Sequence, residues 1–260
     1  MKTFTTEITS DTTVFENPIH QRLYFPYIEI KSLLHKPVDK LLEIGCGEGR
    51  GYNELQSYCN SYTGIDKNKT ILKKLSEKYS KATFIPSSVP PLTSIANNEF
   101  DVVVSFQVIE HIKKDRFFLE EIKRVLKPGG IAFLTTPNRK KTLTRNPWHI
   151  REYIANELRT LTQSIFNTVT MKGIHGNAKV MNYYESNKKS VQKITRWDFL
   201  KLQYRLPAFL LRIPYELLNK LNRKKLDQKN HALVAGITHK DYYLSDDVEG
   251  ALDFLVIVKK

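Results

Sequence analysis

Leu41-Leu42-Glu43-Ile44-Gly45-Cys46-Gly47-Glu48-Gly49-Arg50-Gly51 is the stretch on which the reading of this chain turns. Apolar residues run into a cluster of glycines, so a strand ends, the backbone turns sharply and a helix begins. Such a turn brings backbone N–H groups close to a ligand at a helix start. The dinucleotide pattern Gly-x-Gly-x-x-Gly needs glycine at its sixth position, where this chain has Arg50. Glu43, two residues before Gly45, is a carboxylate that opposes a pyrophosphate and suits a cationic ligand. Twenty-one residues beyond Gly45, Tyr62-Thr63-Gly64-Ile65-Asp66 ends a second strand on an acid placed to accept from ribose hydroxyls. Together these features point to a positively charged nucleoside.

Outward from that stretch, short apolar β-type runs alternate with amphipathic helical patterns, the sign of an α/β fold with a parallel sheet covered on both faces. Strands are expected at residues 40–44, 61–65, 82–85, 100–106 and 131–136, followed by a helix near 152–164 and a strand at 166–172. A helix over 19–34 precedes the first strand. The clearest helix spans about 115–126, with Asp115 as N-cap and Lys127-Pro128-Gly129-Gly130 as its stop. Strand alternation then ceases from Gly173 to Ser245, where aromatic and basic residues and Pro207 and Pro214 suggest two or three short helices. The run 251–258 is the last strand. A connection of about seventy residues is too long for a simple loop and reads as a helical lid. The expected organisation is an N-terminal helical cap (1–36), a core (37–172 plus 246–260) and a basic helical insertion (173–245).

The 260 residues, 41% of them hydrophobic, suffice for one domain with a substantial core plus an appendage, which excludes a disordered or fibrous chain. No run approaches the roughly 18 apolar residues of a membrane-spanning helix. The start, MKTFTTEITSDTTVF, lacks the apolar stretch of a signal peptide, and Cys46 and Cys59 cannot form a disulfide framework, so a cytoplasmic location with reduced thiols is expected. The net charge of +14 is uneven: +2 over 1–137, +14 over 138–231 and −2 over 232–260. Whatever the basic surface meets is therefore met by the segment that contains the insertion.

Four segments, LLEIGCGEG, YTGID, FDVVVSFQVIEHI and LEEIKRVLKPGG with IAFLTTPN, follow one another in an order that resembles the class I S-adenosylmethionine-dependent methyltransferases. The resemblance covers roughly 20–172 and 250–260. It implies a Rossmann-like seven-stranded sheet, mostly parallel with the last strand antiparallel, and S-adenosyl-L-methionine as cofactor. By position it implies that Glu43, Gly45, Gly47 and Gly49 hold the methionine end and Asp66 the ribose diol. Gln107 and Val108 line the cofactor, and Cys46, Lys67 and Ser88 complete the set. Many members carry an acid after the third strand for the adenine amine, whereas Phe84-Ile85-Pro86-Ser87-Ser88-Val89 offers only hydroxyls and backbone.

Methyl transfer from a sulfonium is an in-line displacement, so the protein's main task is to align the acceptor, with a base where the acceptor must lose a proton. His111, whose ordinary pKa is near 6.5, is the base candidate and Glu110 its neighbour; both could instead cap the following turn. A Glu-x-x-Glu-His metal pattern is incomplete here, with Gln107 at its first position, and no metal is expected. Arg145, His149 and Tyr153, after the fifth strand, are candidates for binding the acceptor. The expected acceptor is a small molecule, methylated at oxygen. Apolar residues at 210, 214, 217, 218 and 221, flanked by cations, leave three readings for 205–225: a lid packed on the sheet, contact with a membrane surface, or nucleic-acid binding, the last not favoured.

Overall fold

The computed structural model describes residues 18–34, 37–198 and 200–260. Most of the first half of the expected cap (residues 1–17), its last two residues (35 and 36) and the start read as lacking a signal peptide lie outside them. Helix α1 (Pro18–Leu33) leads into β1 (Val38–Ile44), α2 (Arg50–Leu55), β2 (Cys59–Asp66), α3 (Lys69–Lys78), β3 (Ala82–Pro86) and β4 (Phe100–Phe106). Then come α4 (Asp115–Val125), β5 (Leu126–Pro137), α5 (Ala155–Gln163) and β6 (Thr168–Gly176). The insertion follows as α6 (Ala178–Thr195), α7 (Leu202–Arg205), α8 (Ala208–Lys229) and α9 (His231–Gly236), before β7 (Tyr242–Ser245) and β8 (Asp253–Lys259) close the chain.

The strands form one sheet in the order β3-β2-β1-β4-β5-β8-β6-β7. Strands β1 to β5 pair in parallel, and β8 runs antiparallel between β5 and β6. Strand order reverses between β1 and β4, the point at which open α/β sheets leave a crevice at the carboxyl ends of their strands. Alternating residues serve opposite faces: Val103 packs on one side with Phe118, Ile122 and Phe254, and Val102 and Val104 on the other with Tyr62, Phe133 and Ile30 of α1. Burial on both faces is why β4 reads as an unbroken apolar run.

Three expectations are corrected. The sheet has eight strands rather than seven, because β7, inside the expected insertion, adds antiparallel to β6 through pairs such as Ile174–Leu244. Four residues on an edge leave too short an alternation to read. β6 runs to Gly176, so the helical insertion occupies 177–241, and α6 and α8, with 18 and 22 residues, are long rather than short. Lys114, not Asp115, caps α4, and Asp115 instead accepts from Arg151 and Tyr153.

Arg22 of α1 fastens the cap to the sheet by an ion pair to Asp253 at the start of β8, Nε to Oδ2 3.0 Å. Burial pushes the Asp253 carboxyl up, and the Arg22 charge pulls it down. Removing the cation leaves a buried acid without its counter-charge, a costly change wherever that acid ionises. Arg22→Met is expected to lower the unfolding free energy by about 2–3 kcal/mol at pH 8 and by less at pH 5, because burial raises the Asp253 carboxyl and so weakens its charge toward acid pH. Urea unfolding at the two pH values checks this; an equal loss at both contradicts the electrostatic account.

Candidate active site

Between β1 and α2 the backbone reverses with Gly45, Gly47 and Gly49 at φ of 81°, 51° and 87°. Left-handed backbone at alternate positions is why glycine recurs there. The amides of Gly45 and Cys46 both donate to the Ile65 carbonyl of β2, at 2.7 and 3.1 Å, which fixes the turn against the next strand. A Cβ on Gly45 would lie 2.4 Å from Val108 Cγ2, so the turn also packs against the end of β4. A Cβ on Gly47 would meet nothing within 4 Å, because this residue faces open space.

That space is a cavity of about 1100 Å³ at the switch point. Its wall includes Gly45, Cys46, Gly47, Asp66, Lys67, Ser88, Gln107, Val108, Glu110, His111 and His149. Asp66 Oδ2 accepts from the Gly47 amide at 3.1 Å and Oδ1 from the Asn68 amide at 2.8 Å, which holds the carboxylate at the rim with lone pairs to spare. Gln107 sits at φ 56°, a conformation unusual for a residue with a side chain, held by its amide to the Thr135 carbonyl at 2.9 Å.

Four sequence-based site residues lie elsewhere. Glu43 is buried, and its carboxylate accepts from Tyr27 Oη at 2.6 Å and from Tyr62 Oη. A Cβ on Gly51 would lie 1.9 Å from Glu43 Oε2, so the carboxylate packs against the first turn of α2, and it is not part of the cavity wall. The argument that two acids face the ligand therefore keeps only Asp66. Gly49 is the N-cap of α2 and packs toward Leu75. Arg145 donates to the carbonyls of Gln203 and Leu206, at 3.0 and 3.1 Å, and so binds the insertion. Tyr153 is buried and donates to Asp115 at 2.9 Å on the far side of its loop.

The other end of the cavity carries the reactive groups. Glu110 is fully buried; Thr136 Oγ1 donates to its Oε2 at 3.0 Å, and its Oε1 has no hydrogen-bond partner among the described residues. Burial pushes its carboxyl up to about 7. His111 Nδ1 lies 2.8 Å from the Trp148 carbonyl, which only accepts, so Nδ1 carries the proton and the neutral ring has its lone pair on Nε2. His149 is held by Glu152 at Nδ1, 2.6 Å, and by Asn146 at Nε2, 2.9 Å. Its ring meets that of His111 edge-on at 4.9 Å. One ligand-capable atom from each of Glu110, His111 and His149 lies within 4.8 Å of the others, a set able to take a divalent cation. The expectation of no metal, made from the loop after β4 alone, left out His149, which arrives from a distant loop.

Tertiary packing adds residues that sequence reasoning missed. His20 of α1 lines the cavity, its pKa lowered to about 4 by burial and by Arg50 and Arg223. Tyr215, Glu216 and Arg223 come from α8. Glu152 lies three residues from His149, a spacing that could have flagged the pair; nothing in the order of residues flagged the rest.

Residues 42–134 match a family model described as a methyltransferase domain. These residues form a methyltransferase domain. A probable S-adenosylmethionine-dependent methyltransferase of Mycobacterium tuberculosis is 33% identical over 143 residues, 52% of each chain. A ubiquinone biosynthesis O-methyltransferase of Rickettsia bellii is 32% identical over 130 residues, 48% of this chain and 52% of the relative. The chain thus spans about half the length of the curated relatives it matches. A crystal structure of an S-adenosylmethionine-dependent methyltransferase from Archaeoglobus fulgidus has a TM-score of 0.55 at 14% identity, over 92% of this chain and 94% of that one. The cyclase SpnF gives 0.50 at 15% identity, over 89% and 80%, so the likeness shows the methyltransferase domain's fold and leaves its reaction to the site.

The domain implies S-adenosylmethionine, and the residues present fit it: an open glycine backbone, a rim carboxylate with spare lone pairs and a concave wall. Because folding holds a proton on Glu110 that the unfolded chain releases near 4.5, the associated stability is full below that value and is lost as pH rises through about 7. Glu110→Gln is expected to change stability little at pH 5 and to raise it by about 3 kcal/mol at pH 8. Urea midpoints at both values test this, and a variant with the parent's pH dependence refutes it.

Proposed function

We propose that the protein transfers a methyl group from S-adenosylmethionine to an oxygen of a small-molecule acceptor. The observation that carries this reading is one cavity whose wall holds both the Gly45–Gly47 turn with Asp66 and the Glu110, His111 and His149 group. Similarity to ubiquinone biosynthesis O-methyltransferases over about half the chain supports an oxygen acceptor. When bound, the cofactor supplies a methyl group already activated on a sulfonium.

The chain's residues bind, orient and move one proton. Asp66 accepts from the ribose diol, the Gly45–Gly47 backbone leaves room for the methionine end, and Ser88 offers a hydroxyl toward the adenine side. His111 Nε2 takes the acceptor's proton, and the Trp148 carbonyl on Nδ1 stabilises the imidazolium that forms. His149, fixed at both nitrogens, packs its ring edge-on beside His111 and shapes the space for the acceptor. The insertion covers the acceptor end through Tyr215, Glu216 and Asn219 and limits access of water.

A second reading is favoured by the unpartnered, buried Glu110 Oε1 beside the two imidazoles. Glu110, His111 and His149 would then hold a divalent cation, with His149 Nε2 exchanging its Asn146 contact for the ion, which would lower the pKa of a nearby acceptor hydroxyl.

Asp66→Ala is expected to weaken S-adenosylmethionine binding at least about tenfold, or ~1.4 kcal/mol, in calorimetric titration. Unchanged affinity removes the cofactor assignment. With an acceptor found by screening phenols and alcohols, His111→Ala should lower turnover by about 10²-fold or more while cofactor affinity holds. Dialysis against a chelator separates the two readings: activity that survives supports the base, and activity lost and restored by added Zn²⁺ or Mg²⁺ supports the cation.

A further inference from the structure

Helix α8 is built inside out. Its buried positions include Asn222, whose amide donates to Asn187 at 2.8 Å and whose carbonyl accepts from Ser190 at 2.6 Å, both on α6. At 100° per residue, Phe209, Leu210, Ile213, Leu217 and Leu221 fall on the opposite side from Asn222 and Leu226. Those five are exposed, Ile213 by 79% and Phe209 by 66%. A helix whose apolar side was the lid's own core would show the reverse. Just before it, Trp197, Leu200, Leu202 and Tyr204 are exposed as well. A soluble surface does not gather this much unburied apolar area within one segment without a use for it.

Charge identifies what covers it. Residues 196–225 hold eight Lys and Arg against two acids. Lys220 and Lys224 share the angular range of the apolar stripe, near and just past its C-terminal end, and Lys225 and Arg212 flank it. Large apolar side chains edged by cations match the boundary between the acyl chains and the headgroups of an anionic bilayer. No helix among the described residues is long and apolar enough to cross a membrane, so the match is to lying on the surface. Ile213 and Leu217 belong both to the exposed stripe and to the wall of the cavity. A molecule seated on this face therefore opens its cavity toward the headgroup layer. Arg145 on the carbonyls of Gln203 and Leu206, and the Arg212 guanidinium 4.0 Å over the Trp148 ring, tie the same segment to the loop that carries His149.

We infer that the apolar stripe of α8, with the exposed residues before it, docks the protein on an anionic phospholipid surface. Vesicle flotation of the full chain tests this without reference to catalysis. Phosphatidylcholine vesicles containing phosphatidylglycerol should bind at least about tenfold more tightly than pure phosphatidylcholine, and added salt should weaken the binding. Phe209→Ser/Leu210→Ser/Leu221→Ser should lose at least about tenfold in vesicle binding with S-adenosylmethionine affinity and melting temperature preserved. Lys224→Glu/Lys225→Glu, which leaves the apolar stripe intact, should lose the preference for phosphatidylglycerol. Three results overturn the inference: no binding of the parent to either vesicle, undiminished binding by the triple variant, or a parent dimer in sedimentation that the triple variant abolishes. Salt-sensitive association with RNA in place of vesicles also overturns it. Cofactor titration of the same samples keeps the outcomes distinct, since a protein that binds S-adenosylmethionine but no vesicle loses only this inference.

Discussion

Everything at the cavity depends on one backbone constraint: five residues must carry the chain from the end of β1 to the start of α2 while leaving open space beside the turn, as at Gly47. Positive φ at Gly45, Gly47 and Gly49 satisfies it, and the paired amide bonds to Ile65 keep the turn from relaxing. Beneath it, Glu43 with Tyr27 and Tyr62 forms a buried polar plug on which α2 rests. The two phenols donate to a carboxylate that burial would otherwise penalise, and burial with that carboxylate drives both phenol pKa values well up. Tyr27 comes from α1, so the cap helix supports the cofactor turn through a hydrogen bond and not only through apolar packing.

The acceptor end is organised differently. There a loop, residues 138–153, places His149 beside His111 by contacts within itself, to His111 and to the insertion. The Trp148 carbonyl fixes the His111 tautomer, Glu152 and Asn146 fix His149, and Arg145 and Arg212 fasten the loop to the insertion. The insertion is thus coupled to the reactive groups by charge-assisted hydrogen bonds and a cation–π contact. Movement of the lid would pass to His149 through this loop, which gives a route by which seating the apolar stripe could act on the acceptor end.

Glu110 shows how burial sets protonation here. It lies among Thr136, His149 and Asp253, with one oxygen satisfied and one not, and its carboxyl is raised because desolvation outweighs the His149 charge and the Thr136 hydrogen bond. An unfilled acceptor site in a fully buried acid is uncommon in native proteins, and this one lies beside His111 and His149 on the cavity wall.

Local sequence determined the elements whose signals are local. Apolar runs of strand length, glycines at positions needing left-handed backbone, and the spacing from Gly45 to Asp66 were enough to place β1 to β5, the glycine turn and an acid at the end of β2. Tertiary structure alone decided which way side chains at those positions point. Glu43 reads as a ligand-facing acid until Tyr27, Tyr62 and the Gly51 backbone are seen around it, and Arg145 and Tyr153 read as acceptor contacts until the carbonyls and the carboxylate they bind appear. It also decided the Glu110–His111–His149 group, the edge strand β7 and the outward apolar side of α8. Each of these joins residues distant in the chain or depends on which face a neighbour covers, and periodicity gives the faces of a helix without saying which one is buried.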